Sequence, residues 1–237
     1  MNRTILFVAC LVILAVACST PTPTAAPTVA PTAAPEPTDA PKPTDPPKPT
    51  IAPTTAASNA LVRITLKEGS SEARFRVREQ LAGVNLPSDA VGATKVISGT
   101  IIGKSDGTIV KEQSKFRVDM RTLVSDREQR DNFLRRNVIE SNQYPYSEFV
   151  PTEVKGFPLP VKDGDIAFQL IGDLTIRNVT KSVTWDIAGK VTGNTGKGTA
   201  KTSFNFAYFN LTRPSVPLVL SIDDNIKLEV DVTVTRE

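Results

Sequence analysis

From Ile226 to Val234 the chain puts an apolar residue at every second position. Ile226, Leu228, Val230, Val232 and Val234 alternate with Lys227, Glu229, Asp231 and Thr233. A side-chain period of two belongs to a β-strand with one face buried and the other in water. The same period recurs upstream. Ala73, Phe75 and Val77 alternate with Arg74, Arg76 and Arg78, and Phe116, Val118 and Met120 alternate with Arg117, Asp119 and Arg121. Ile166, Phe168, Leu170, Leu174 and Ile176 share one parity, as do Val183, Trp185 and Ile187, and then Phe204, Phe206 and Tyr208. Weaker candidates at 61–67, 95–104 and 148–155 bring the expectation to eight or nine strands. Ser105-Asp106-Gly107, Asp163-Gly164 and Gly193-Asn194-Thr195-Gly196 read as hairpin turns between them. One-faced strands predict antiparallel sheet. With little helix to cover a face, the sheet is expected to close into a barrel of about eight strands, wide enough for side chains or one small ligand.

A single helix breaks the series. Ser125-Asp126-Arg127-Glu128 fits a capping box, with Ser125 as N-cap and Glu128 three residues on. Leu134 and Val138, one turn apart, are expected to face the sheet. The helix should end before Tyr144-Pro145, because proline disfavours helix at the residue before it. The fold class is therefore all-β with one helix.

The N-terminal quarter obeys different chemistry. Twelve of the chain's 19 prolines fall between Pro21 and Pro53, interleaved with Thr and Ala. Val29 and Ile51 are the only large aliphatics between Ser19 and Asn59, so this stretch cannot bury enough apolar surface to offset chain entropy and is expected to be a disordered, extended spacer. Ahead of it, Arg3 precedes an apolar run from Ile5 to Val16, the length of a signal-peptide core and too short to span a bilayer. The run ends in Leu14-Ala15-Val16-Ala17-Cys18, which resembles the lipobox of bacterial lipoproteins, with Ala15 where Leu is commonest. The boundaries follow: a lipoprotein signal peptide at 1–17, a lipidated Cys18 with the Pro/Thr-rich linker at 18–59, and the barrel domain at 60–237. The resemblance implies cleavage before Cys18 and acylation of its sulfur. That places the domain outside the cytoplasm, anchored to the bacterial cell membrane. An ordinary secretory signal with a free Cys18 thiol is the alternative.

Much catalytic chemistry is excluded. The chain has no histidine, and its two cysteines, Cys10 and Cys18, precede the domain. A Ser-His-Asp triad, a histidine-ligated metal and a cysteine nucleophile in the domain are all ruled out. No P-loop, dinucleotide fingerprint or nucleophile elbow occurs. The Asp223-Asp224-Asn225 and Asp163-Gly164-Asp165 runs lack the spacing of a calcium loop and sit where turns are due. No metal, cofactor or enzymatic activity is expected, and a net charge of +3 is too small to point to nucleic acid.

Two stretches carry a family resemblance. One is Phe116-Arg117-Val118-Asp119, then Arg130-Asp131-Asn132-Phe133-Leu134, Gln143-Tyr144-Pro145 and Glu148-Phe149; the other runs from Gly172 to Lys181 through Leu174-Thr175-Ile176 and Val179-Thr180. In order and spacing they resemble the YceI-like family. The resemblance implies a lipocalin-like antiparallel barrel, exported in bacteria, with an elongated apolar cavity for a long isoprenoid chain or quinone-like lipid. Many relatives carry histidine where this chain has Phe133, and an Arg-x-Asp-Phe-Gly-like stretch where it reads Phe209-Asn210-Leu211-Thr212-Arg213-Pro214.

The inward parity supplies the candidate ligand-binding residues: Phe75 and Val77, Phe116 and Val118, Phe168 and Leu170, Trp185 and Ile187, and Phe204 and Phe206. They would line either a solid core or a ligand tunnel. Arg130 and Asp131 are candidates for a headgroup contact or a structural ion pair at the helix–barrel junction, and Arg74, Arg76 and Arg78 for an outward basic stripe. The functional expectation is a membrane-tethered binding module for an apolar chain. Its alternative is a structural envelope lipoprotein with a filled barrel and no small ligand.

Overall fold

The computed structural model describes residues 60–237. The expected signal segment, Cys18 and the linker to residue 59 lie outside the described residues.

Eleven strands follow one another: β1 Leu61–Leu66, β2 Glu72–Leu81, β3 Ser88–Thr94, β4 Ile97–Lys104, β5 Lys115–Asp119, β6 Val124–Ser125, β7 Tyr146–Lys155, β8 Gly164–Ile176, β9 Val179–Thr192, β10 Thr195–Phe204 and β11 Val219–Arg236. Eight of them close into a ring in the order β1-β4-β5-β7-β8-β9-β10-β11, with β11 returning to β1. Each pairing in the ring is antiparallel, as one-faced alternation requires. The expected all-β barrel with one helix is the architecture found.

The ring closes through β11, which is 18 residues long. Its C-terminal end pairs with β1 (Ile64↔Arg236, Thr65↔Thr235, Leu66↔Val234), and its earlier part pairs with β2 (Leu228↔Phe75, Val230↔Ala73). Between β1 and β2 the chain breaks at Lys67–Ser71, where the buried Ser71 Oγ accepts the Thr233 N–H at 3.0 Å. β3 then pairs with β2, and β6 adds two residues to its outer edge.

Several expectations are corrected. β3 and β6 were not anticipated, because Ala90, Gly92 and Ala93 are too small to mark an alternation. β10 ends at Phe204, and Phe206–Phe209 is a 3-10 turn, so the parity read through Phe206 and Tyr208 is not that of a strand. Met120 likewise opens a 3-10 turn after β5. Asp223–Asn225 is not a turn before the last strand but an irregularity inside β11, where the register shifts between Ile222 and Ile226. There Asp224 Oδ1 accepts the Phe206 N–H at 3.1 Å and ties the 3-10 turn to β11. The Gly193-Asn194 hairpin is as expected, with Thr192 and Thr195 paired across it. Arg177-Asn178 makes a second two-residue turn, with Arg177 at φ +57°.

The helix spans Glu128–Phe133 and continues as a π-helical turn, Leu134–Val138. Ser125 is not its N-cap. It belongs to β6, and Arg127 occupies the cap position with no side-chain cap bond. The Asp131 carboxylate instead turns back to accept the Ser125 N–H and, at 2.6 Å, the Ser125 hydroxyl. Val138 and Leu134 pack as expected, with Leu123 and Ile139, against Phe75 of β2 and Leu211.

Asp119 is buried at the end of β5 and accepts from Arg121 three times, from its backbone N–H (3.0 Å), Nε (2.9 Å) and Nη2 (2.6 Å). Hydrogen bonding to Arg121 holds its carboxyl below the ordinary aspartate range. A carboxyl lowered on folding stabilises the protein above its unfolded-state pKa, and that contribution fades as pH falls through the ordinary range toward the folded value. Asp119→Asn is therefore expected to cost about 1–3 kcal/mol at neutral pH. The gap between variant and wild type should narrow in urea titrations as pH falls below the ordinary aspartate range, because the unfolded wild-type chain takes up the proton first.

Candidate functional site

The ring is hollow over much of its length, around a cavity of about 390 Å³. The wall is the inward parity of the long strands. β8 supplies Ile166, Phe168, Leu170, Leu174 and Ile176, and β9 supplies Trp185, Ile187 and Val191. β11 supplies Leu228, Val230, Val232 and Val234, and β1 supplies Val62, Ile64 and Leu66. From Ile166 to Ile176 a strand tilted as barrels require covers about 25 Å of axis, so the space is long and narrow.

Glycine keeps it open. Gly189 of β9 and Gly198 of β10 face each other in register. A Cβ on Gly198 would stand 2.6 Å from the Ala188 carbonyl oxygen, and one on Gly189 would stand 2.4 Å from that of Lys197. The two backbones lie too close for a Cβ on either, and both glycines line the cavity, so no side chain enters the lumen there.

The deep end is plugged. Phe209, with no exposed surface, packs edge-on to Phe204 (centroids 4.6 Å apart) and joins Phe149, Leu170, Leu174 and Trp185 in one apolar cluster. Phe149 meets Trp185 edge-to-face at 6.0 Å, and the Trp185 indole N–H is buried without a hydrogen-bond partner. The other end is the mouth, where the Gly193-Asn194 hairpin, the turn at Gly107 and the segment after β7 line the cavity. In that segment Phe157, Leu159 and Val161 point to the cavity; Phe157 stacks edge-on to Phe168 at 4.9 Å, and Leu159 Cδ1 lies 3.3 Å from where a Cβ on Gly107 would stand. Asp163 closes the segment by accepting the Gly193 N–H at 2.9 Å.

Seven of the ten candidate residues line the cavity: Phe75, Phe116, Val118, Phe168, Leu170, Trp185 and Ile187. Val77, Phe204 and Phe206 do not. They pack together with Ile226 beneath the floor, as part of the plug. Parity says which face a residue takes but not its height along the barrel, so it could not separate plug from wall. The sequence reading missed Leu174, Ile176, Phe149 and the β1 and β11 ladders as cavity wall, although each shows the same parity. It also missed Phe157, Leu159 and Val161, whose alternation is masked by Pro158 and Pro160.

The polar candidates serve the scaffold. Arg130 donates to the buried Glu79 at 2.5 Å and pairs with Asp126, while Asp131 holds Ser125. The pair is thus a structural junction between helix and β2. Arg74, Arg76 and Arg78 are not a free basic stripe: Arg74 pairs with Glu72 and Asp231, Arg76 with Glu229, and Arg78 with Asp89.

A model of the YceI-like domain family matches residues 65–234, which take in β2 to β10 whole. The chain belongs to the YceI-like family. Its fold is similar to that of several solved structures. Burkholderia cenocepacia BcnA is 15% identical with a TM-score of 0.53, over 72% of this chain and 99% of that one. A polyisoprenoid binding domain from Saccharophagus degradans, implicated in plant cell wall breakdown, is 10% identical with a TM-score of 0.54, over 73% and 97%. The Campylobacter jejuni YceI protein is 16% identical with a TM-score of 0.51, over 66% and 90%. No curated protein matches the chain. Within this YceI-like domain, Phe133 is half-buried against the cluster of Leu123, Val138 and Ile139. Position 133 thus contributes apolar packing here.

Proposed function

We propose that this YceI-like domain is a binding module for one long apolar chain, an isoprenoid or quinone-like lipid held along the barrel axis. The observation that carries this reading is the cavity itself. It is narrow, walled almost wholly by aliphatic and aromatic side chains, open at one end and plugged at the other. Each methylene buried there contributes roughly 0.8 kcal/mol, so the gain grows with the length of chain that the cavity takes in. The Saccharophagus domain, described as polyisoprenoid binding, has the same fold. We further propose that the module works outside the cytoplasm, tethered through acylated Cys18 and the Pro/Thr-rich linker, and that it binds rather than transforms its ligand.

Organic extraction of the purified protein, read by mass spectrometry, tests the cavity. The expected result is a stoichiometric isoprenoid-type lipid, and a lipid-free protein whose Trp185 emission ignores added prenyl chains would sink the reading. Membrane fractionation tests the tether. Cys18→Ala should move the protein to the soluble fraction, and a variant that still pellets after a salt wash would remove the anchor from the proposal.

A further inference from the structure

The inward ladder of β11 does not end on an apolar residue. After Leu228, Val230, Val232 and Val234, the next inward position is Arg236, in register with Ile64 of β1 and lining the cavity at its mouth. The other charged residues at the cavity edge differ. Lys104 and Lys197 sit opposite Leu61 and Thr233, on the outward parity of their strands. Arg74 is paired with Glu72 and Asp231, and Glu148 with Lys115 and Arg117. Lys181 shares the inward parity of β9 opposite Leu174, but it is exposed at the far end, over the Tyr208 ring. Among the described residues that line the cavity, Arg236 is therefore the one charge on the inward face of the ring.

Its guanidinium is also under-used. The backbone N–H of Arg236 donates to the Asn194 carbonyl at 2.8 Å, which fixes the strand end. Among the described residues its side chain reaches only the Asn194 Oδ1, through Nη2 at 3.5 Å, and has no carboxylate partner. Asp163, the carboxylate on the segment across the mouth, accepts from the Gly193 N–H. The surrounding wall at Gly193 and Gly196 carries no side chain, which leaves room beside the guanidinium. Arg236 lies two residues beyond the stretch 65–234 that the family model matches.

We infer that Arg236 reads an anionic headgroup: the ligand is an amphiphile whose chain fills the barrel and whose phosphate or carboxylate rests at the mouth. A guanidinium offers such a group two parallel N–H donors in fork geometry, and it stays charged at every relevant pH. An alcohol offers a single uncharged oxygen, which cannot meet the fork with two parallel bonds. This inference rests on the apolar-chain reading above and adds the head to it.

Three probes with one chain separate the alternatives: farnesyl phosphate, farnesoic acid and farnesol, titrated into the full chain with Trp185, its single tryptophan, as reporter. Wild type is expected to bind farnesyl phosphate about ten-fold more tightly than farnesol. In Arg236→Gln that ratio should fall to about one, and Arg236→Lys should recover part of it, as a point charge without the fork does. Farnesoic acid equal to the phosphate assigns the site to carboxylate lipids, and farnesoic acid close to farnesol assigns it to phosphate esters. Equal binding of phosphate and alcohol by wild type, or an Arg236→Gln protein that melts like wild type and keeps the preference, overturns the inference. If none of the three probes moves Trp185 emission, the apolar-chain reading itself falls.

Discussion

Phe168→Asp is expected to abolish binding of a prenyl chain, with the Trp185 response lost at concentrations at least a hundred-fold above those that saturate wild type. Phe168 stands midway along the inward face of β8, against Ile187 of β9 in register, and Phe157 from the mouth segment packs edge-on to it. A carboxylate there has no cation on the inward face closer than the mouth. Burying an unpaired polar group costs several kcal/mol and a charge more, so the side chain draws water into the lumen. A hydrated lumen no longer gains from receiving hydrocarbon. The loss of some 2–3 kcal/mol implied by a hundred-fold change is well within that penalty. The outward Arg76→Ala, which removes only an ion pair with Glu229 on the outer surface, should leave binding within a factor of two. Thermal melts of both variants separate lost affinity from lost fold. A Phe168→Asp protein that melts near wild type and still binds the chain would show that the ligand lies elsewhere.

Phe209→Ala is expected to destabilise the domain by about 3–5 kcal/mol, the range for removing a fully buried aromatic ring. Phe209 has no exposed surface. It lies in the 3-10 turn after β10, edge-on to both Phe204 (4.6 Å) and Tyr208 (5.2 Å) and beneath Phe149 and Trp185. Truncation leaves a cavity among residues held in β7, β8, β9 and β10, which cannot readily collapse into it, so little of the lost contact is regained. The same change lengthens the lumen at its floor. A stabilising shift with added prenyl chain should therefore be at least as large in the variant as in wild type, provided the variant folds. Chemical denaturation measures the first effect and ligand-dependent melting the second. A loss under 1 kcal/mol would mean that the plug is looser than its burial indicates.

Ala207, Tyr208 and Asn210 show why a plug residue such as Phe209 was hard to find. Read along the chain, Phe204, Phe206 and Tyr208 continue an alternation, and nothing local says that the strand stops at Phe204. The stop comes from a partner 18 residues further on, where Asp224 takes the Phe206 N–H and bends β11 out of register. Asn210, at φ +52°, then turns the chain back under the ring. Parity read from neighbours cannot register an instruction delivered by a distant carboxylate. The β2–helix junction is a similar case. The Ser125–Glu128 spacing meets the capping rule, yet Ser125 bonds to Asp131, because it lies in β6 on the edge of β3.

What the sequence alone determined is the set of faces. A period of two assigns each side chain of β1, β2, β5, β8, β9 and β11 to the inside or outside whatever the fold, since neighbouring positions on a strand must point in opposite directions. It also excluded histidine- and thiol-based chemistry from residues 60–237. Height along the axis, closure of the ring and the choice between filled core and open lumen were decided only in three dimensions. Those depend on pairings between residues far apart in the chain, such as Ile64 with Arg236 and Phe116 with Phe149, and on Gly189 and Gly198 falling in register so that no side chain fills the space between them. Arg236 shows both halves. Its parity is legible at a glance, but only the register with β1 and the hairpin at Asn194 puts its charge at the mouth of an apolar cavity.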